Sequence, residues 1–209
     1  MKLYDFPFSP FCRPVRAVAY ELGIELEYVY VNAFKKETRT PSFLAINPNG
    51  HIPVLVDGDF VLWESCAILT YLAAKDRSPL LPTNLRERAD VERWLAWHVA
   101  HLAPPIRKVA REYVIQNVLK RGEANGEKIA EGTADFQTYS AVLDASLGTK
   151  EYVAGRLSIA DFALASSYSL APSSGLDVTP FPRVNAWLDR VLARDSMKRT
   201  LADVQASLH

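Results

Sequence analysis

Cysteine is scarce in this chain: Cys12 and Cys66 are the only two in 209 residues. Two thiols cannot build the disulfide framework of a small secreted domain, and their reduced state suits a cytoplasmic protein. Charge of one sign is also missing. Lysine plus arginine total 24, and aspartate plus glutamate total 24. A chain with that balance has no broad basic field, which excludes nucleic acid and an anionic membrane surface as expected partners and favours a small neutral or zwitterionic one. Long apolar runs are absent too. The best candidate, "LSIADFALASSYSLA", falls short of the roughly 20 residues of a membrane span and is broken by Asp161 and several serines. The N-terminus, "MKLYDFPFSP", turns polar and proline-rich too early for a signal peptide. What is abundant is core material. Hydrophobic residues are 49% and aromatics 11% of the composition, enough to bury one large or two small cores.

The first 75 residues alternate strand and helix signals. "KLYDF" reads as a strand. Ser9 then supplies an N-cap and Pro10 a first helical position for a helix with Val15, Val18, Ala19 and Leu22 on one face, closed by Gly23. "LEYVYV" is a second strand, and Thr40-Pro41 repeats the cap-then-proline signature before "SFLAIN". "PVLVD" and "FVLW" flank Asp57-Gly58-Asp59 as a hairpin, and Ser65 opens a helix with Ile68, Leu69 and Leu72 inward. A βαβ unit followed by a hairpin and a closing helix is the thioredoxin-like arrangement, an α/β domain with a mixed four-stranded sheet, expected over 1–76.

A proline-bearing linker over 77–86 follows, after which strand signals stop and an all-α helical-bundle domain is expected over 87–209. Val91, Trp94, Leu95, His98 and Leu102 share one helical face, which Pro104-Pro105 must kink or end. Phe136, Tyr139, Leu143 and Leu147 form the face of another helix. Two more are expected near 158–171 and 183–195, with a short last one near the C-terminus.

Four stretches bear on chemistry. "SPFC" has the form of a Cys-Pro-Phe-Cys redox corner with Ser9 in the nucleophile's place and Cys12 retained. In "NPNGHIPVL", Pro53 opens a strand, where it forfeits a ladder hydrogen bond; it is either an edge-strand proline or part of a cis Ile52-Pro53 bond. In "WESCAIL", a helix start with Glu64 and Ser65 offers N–H groups to a carboxylate and a carboxylate to an amine, or is merely a cap. In "SIADF", Ser158 and Asp161 have capping-box spacing, and Asp161 is a folding residue rather than a catalytic one.

Ser9 following Pro7, "NPNGHIPVL", "LWESCAIL" and "GRLSIADFALA", in this order across nearly the whole chain, resemble the cytosolic glutathione transferases of the serine type, in particular the theta, delta and phi-like classes. The resemblance implies that Ser9 donates a hydrogen bond to the thiolate of glutathione, which serves as co-substrate, with no metal. It implies that Ile52, before the family's cis-proline at Pro53, pairs its backbone with the cysteinyl unit. Glu64 and Ser65 would hold the γ-glutamyl end, and Arg39 and His51 the glycyl end. Candidates for the electrophile site are Phe8, Phe11 and Phe34 on one wall and His101, Ile106, Arg107 and Arg111 on the other. The reaction implied is conjugation to small hydrophobic electrophiles, with peroxidase or dehalogenase side activities, by a cytoplasmic homodimer. Two other readings stay open: a glutathione-dependent thiol oxidoreductase using Cys12, and a non-catalytic binding or scaffold protein on the same fold.

Overall fold

The computed structural model describes residues 1–118, 120 and 122–206. The chain divides into two compact units, Met1–Leu81 with Ala193–His209, and Pro82–Leu192.

The first unit opens with strand β1 (Lys2–Asp5), then helix α1 (Arg13–Leu22) and strand β2 (Glu27–Tyr30). A single 3-10 turn, Glu37–Arg39, leads into the short helix α2 (Pro41–Leu44), where the Thr40 side chain accepts from the Phe43 N–H and Pro41 takes the first helical position, as the sequence pattern implies. Strands β3 (Val54–Asp57) and β4 (Phe60–Trp63) make the hairpin, turning at Gly58 with φ 64°, and helix α3 (Ser65–Lys75) closes the unit. The sheet order is β2-β1-β3-β4, with β1 and β2 parallel and the other pairs antiparallel, the mixed thioredoxin-like sheet expected. Leu3, Val15, Val18, Val54, Leu55, Ile68, Leu69 and Leu72 are fully buried and form its core.

Two helix starts differ from expectation. Regular α1 begins at Arg13 rather than Pro10, because Pro14 has no N–H to offer the Pro10 carbonyl; residues 10–12 form a turn instead, with the Cys12 and Arg13 N–H groups both on the Ser9 carbonyl at 3.1 and 3.0 Å. At α3, Glu64 rather than Ser65 is the cap. Ser65 is the first helical residue, and the first ladder bond runs from the Ile68 N–H to the Glu64 carbonyl at 3.0 Å.

Among its described residues the second unit has helices and no strand. Helix α4 (Leu85–Trp97) passes into a π-helical segment, His98–Leu102, and then into α5 (Ala103–Tyr113). The π-turn is the prolines' doing. Pro104 and Pro105 have no N–H for the Ala100 and His101 carbonyls, and the ladder shifts register just before them, the Ala103 N–H reaching back to His98. Helices α6 (Gly126–Leu147), α7 (Ile159–Tyr168) and α8 (Pro182–Leu192) complete the unit. The expected inward faces are buried: Val91, Trp94, Leu95, His98 and Leu102 from the first stretch, and Phe136, Leu143 and Leu147 from α6, with Tyr139 half-buried.

The last helix, α9 (Asp195–Ala206), corrects the expected boundary of the helical domain at 209: it groups with the first unit, against α1. No described helix is long and apolar enough to cross a membrane.

Candidate functional site

Strand register alone brings the separated motifs together. The C-terminal end of β1 pairs Tyr4 with Val54 at the start of β3, and Val54 pairs in turn with Trp63 at the end of β4. Whatever follows β1, precedes β3 and follows β4 therefore emerges at one end of the sheet. Those segments carry Ser9, Ile52-Pro53 and Glu64-Ser65. Because β2 runs parallel to β1, with Asp5 opposite Tyr30, the segment leading to Phe34 emerges there as well.

Ser9 is half-buried in a closed turn, its N–H donating to the Phe6 carbonyl at 2.8 Å. Its Oγ accepts from the Phe11 and Cys12 N–H groups at 3.3 and 3.4 Å. A serine hydroxyl has two acceptor positions and one proton, so with both lone pairs facing N–H groups its remaining capacity is that of a donor. Cys12 lies beneath, fully buried. Burial and the nearby Asp5 charge push its thiol well above the ordinary range, which disfavours the thiolate an oxidoreductase would need. Burial likewise pushes half-buried Cys66 up, to about 11.

The Ile52-Pro53 bond is cis. The Ile52 side chain packs against the buried cluster of Val31, Phe43 and Val54, so its outward offering is backbone. The residue that shapes this loop is Asn47, which the motif reading missed. It is 2% exposed, its Nδ2 donates to the His51 carbonyl at 2.7 Å, and its Oδ1 accepts from the Asn49 N–H and Asn49 Nδ2, both at 3.0 Å. The signal was present in the turn letters of "NPNG", where asparagine bonds the backbone a few residues on. Gly50 has φ 63°, and a Cβ there would lie 2.5 Å from Arg39 Nη1. Its absence lets the exposed Arg39 lie across the loop, with Nη1 on the Asn49 carbonyl at 3.1 Å beside exposed His51.

Glu64 has φ 73° and ψ 116°, a conformation that non-glycine residues rarely adopt, and its side chain is exposed without capping the helix. Ser65 beside it is 6% exposed at the N-terminal end of α3, where helix dipole and unpaired N–H groups favour an anion.

The apolar candidates divide. Buried Phe6 holds Phe8 and Phe34 with ring centroids at 5.2 and 5.4 Å, leaving Phe34 58% exposed; half-buried Phe11 stands in the Ser9 turn. In the helical unit, the His101 and Tyr139 rings meet at a tilt with centroids 5.0 Å apart, Arg107 and Arg111 are exposed, and Ile106, 2% exposed, is part of the core. His98 is buried with Nε2 2.7 Å from the Ser167 hydroxyl, and burial lowers it to about 4. Among the described residues no cluster suited to a metal ion is found.

Known proteins share this architecture. A family model described as the glutathione S-transferase N-terminal domain matches residues 3–80, and one described as the glutathione S-transferase C-terminal domain matches residues 113–195. Glutathione S-transferase 3 of Zea mays is 34% identical over 98% of this chain and 94% of its own. Glutathione S-transferase D7 of Drosophila melanogaster is 32% identical over 90% of this chain and 82% of its own. The solved structure of a glutathione transferase family member from Pseudomonas fluorescens, with two glutathione bound, is 27% identical with a TM-score of 0.83, covering 96% of this chain and 91% of that one.

Proposed function

Since this chain belongs to the glutathione S-transferase family, we propose that Ser9 is the residue that activates the co-substrate, its hydroxyl donating to the thiolate of glutathione for attack on small hydrophobic electrophiles. The observation that carries the assignment is the register that delivers Ser9, Ile52 and Glu64-Ser65 to one end of the sheet. The Ile52 backbone pairs with the cysteinyl unit as an added strand, Glu64 takes the γ-glutamyl amine, and Ser65 with the α3 N-terminus takes its carboxylate. Arg39 and His51 face the glycyl carboxylate.

The energetics suffice. A free thiol of pKa about 8.5 is only about 3% ionised at pH 7, and lowering that pKa by about two units requires about 2.7 kcal/mol of preference for the anion. One hydrogen bond to a charged group contributes about 1.5–3 kcal/mol, and a helix N-terminus about 0.3–1. The serine hydroxyl is not ionised at neutral pH and is too weak a base to take the thiol proton, which passes to solvent. It stabilises the anion that results. The sulfur then forms a carbon–sulfur bond while the displaced group, a halide for instance, leaves with the electron pair of the broken bond. Phe8, Phe11 and Phe34 offer the apolar surface beside it.

Cytoplasmic location and a homodimeric state belong to the same proposal, the first supported by two unpaired thiols. Ser9→Ala is expected to lower turnover at least about tenfold with glutathione KM little changed. Unchanged turnover overturns the role given to Ser9. Sedimentation of the purified chain tests the dimer.

A further inference from the structure

Two arginines of α1 point inward, Arg13 at 8% and Arg16 at 7% exposure, and both reach α9. Arg13 Nε donates to the Thr200 hydroxyl at 2.9 Å. Arg16 Nη1 donates to Asp203 Oδ2 at 2.9 Å, and the Tyr20 hydroxyl donates to the same oxygen at 2.7 Å. On its other side Arg16 donates to Asp5 Oδ2, from Nε at 2.7 Å and also from Nη2, while its guanidinium lies 4.0 Å from the Tyr28 ring centroid.

Asp5 ends β1 and Arg16 stands near the start of α1, so this one guanidinium brackets the segment that carries Ser9. Within the bracket the backbone is tied by the Ser9 turn, to Phe6 on one side and to Cys12 and Arg13 on the other, and by the Arg16 N–H on the Cys12 carbonyl at 3.1 Å, which links the turn to the first turns of α1. The direction of the Ser9 O–H is therefore set by where the first turns of α1 lie, and those turns are held against α9 by Arg13 and Arg16. A hydrogen bond weakens steeply as its angle and length depart from ideal. Small displacements of a reacting group carry large rate costs.

We infer that Asp203 and Thr200, on α9, are positioning residues for the Ser9 hydroxyl, acting through Arg16 and Arg13. The inference rests on the role proposed above for Ser9. It assigns α9 a part in setting the acidity of bound glutathione, through contacts that touch neither the peptide nor the electrophile.

The test compares Asp203→Ala, Asp203→Asn, Thr200→Val, Ser9→Ala and the double variant Ser9→Ala/Asp203→Ala in the full chain. Two quantities are measured: the pH dependence of the ultraviolet thiolate absorbance of bound glutathione, and kcat and KM with a chlorodinitrobenzene. Asp203→Ala and Thr200→Val are expected to raise the apparent thiol pKa and lower kcat about three- to tenfold, with glutathione KM changed less than about twofold. Asp203→Asn, which keeps an acceptor for Arg16, recovers part of the loss, and Asp203→Ala adds little once Ser9 is gone. A wild-type thiol pKa in the Asp203→Ala and Thr200→Val variants overturns the inference, as does an undiminished Asp203→Ala effect in the Ser9→Ala background. Thr200→Val preserves shape and apolar burial, and decides the matter alone if Asp203→Ala does not fold. If Ser9→Ala leaves the thiol pKa unmoved, it is the Ser9 reading that has failed; a Ser9→Ala shift without an α9 effect sinks only this inference.

Discussion

Replacing Asp161 by asparagine isolates what a buried carboxylate does for the helical unit. The native side chain is fully buried and accepts four hydrogen bonds. Oδ1 takes the Val153 N–H at 3.0 Å and the Trp187 indole N–H at 2.9 Å; Oδ2 takes the Ser158 N–H at 2.9 Å and the Ser158 hydroxyl at 3.0 Å. One carboxylate thus joins the loop at Val153, the start of α7 and the middle of α8. Asparagine keeps one oxygen, and with it two acceptances, but turns an N–H2 group toward two donors. The Ser158 hydroxyl can rotate and accept instead, whereas the Ser158 N–H is left facing another donor. One orphaned buried N–H costs about 1–3 kcal/mol, and the remaining bonds lose the strength that a charged acceptor gives them, so Asp161→Asn should destabilise by about 2–4 kcal/mol. Alanine orphans all four donors and leaves a void, and should remove about 4–6 kcal/mol, a large share of the ~5–15 kcal/mol that holds a domain together. Urea unfolding of the full chain, followed by tryptophan fluorescence, measures both, with Trp187 one of the four tryptophans that contribute to the signal. Conjugation per folded molecule should not change. A midpoint for Asp161→Asn within about 0.5 kcal/mol of wild type would refute the reasoning, as would a turnover loss in a fully folded protein.

His98 gives a pH dependence of definite sign. Burial lowers it from 6.5 to about 4, so the folded state resists a proton that the unfolded chain takes up, and stability present above about 6.5 should fall by roughly 3 kcal/mol by the time pH reaches about 4. Urea midpoints at pH 7 and 4.5 should show that slope, and His98→Gln should flatten it. For Cys12, complete burial and a raised thiol pKa predict no detectable modification by a thiol reagent in the native protein and rapid modification once unfolded. Cys12→Ala should retain conjugation within about twofold while losing some stability to the cavity. Appreciable disulfide-reductase activity that disappears in this variant would count against the assignment.

The local chemistry of the first unit was legible because each element carries its own punctuation. Gly23, Thr40-Pro41 and Asp57-Gly58-Asp59 act where they stand in the chain, and each performs the role its residue type implies. The helix starts at Ser9 and Ser65 were harder. Pro14 postpones the ladder from four residues further on, and the backbone of Glu64 adopts a conformation no residue preference would suggest. The prolines after Leu102 announced an interruption, but the π-turn that accommodates them depends on which carbonyls find donors. Least legible were the inward arginines. Arg13 and Arg16 look like solvated positions of an amphipathic helix until Thr200 and Asp203, each 187 residues away, are brought beside them. Periodicity carries no address for a partner so distant in the chain.

That α9 groups with the first unit bears on how the protein is made. The sheet and α1 are translated early, yet the helix that satisfies two of their buried arginines is translated only after the whole of Pro82–Leu192. Until it is made, Arg16 has Asp5 but not Asp203, and Arg13 lacks the Thr200 hydroxyl, so the burial of both charges is only partly compensated. The helical unit, contiguous in the chain, has its complete sequence available sooner and is free to consolidate on the ribosome, while the first unit waits for its final segment. In such an order of assembly the Ser9 turn is finished last, and a nascent chain cut off before Asp195 would present a folded helical unit beside an incomplete one.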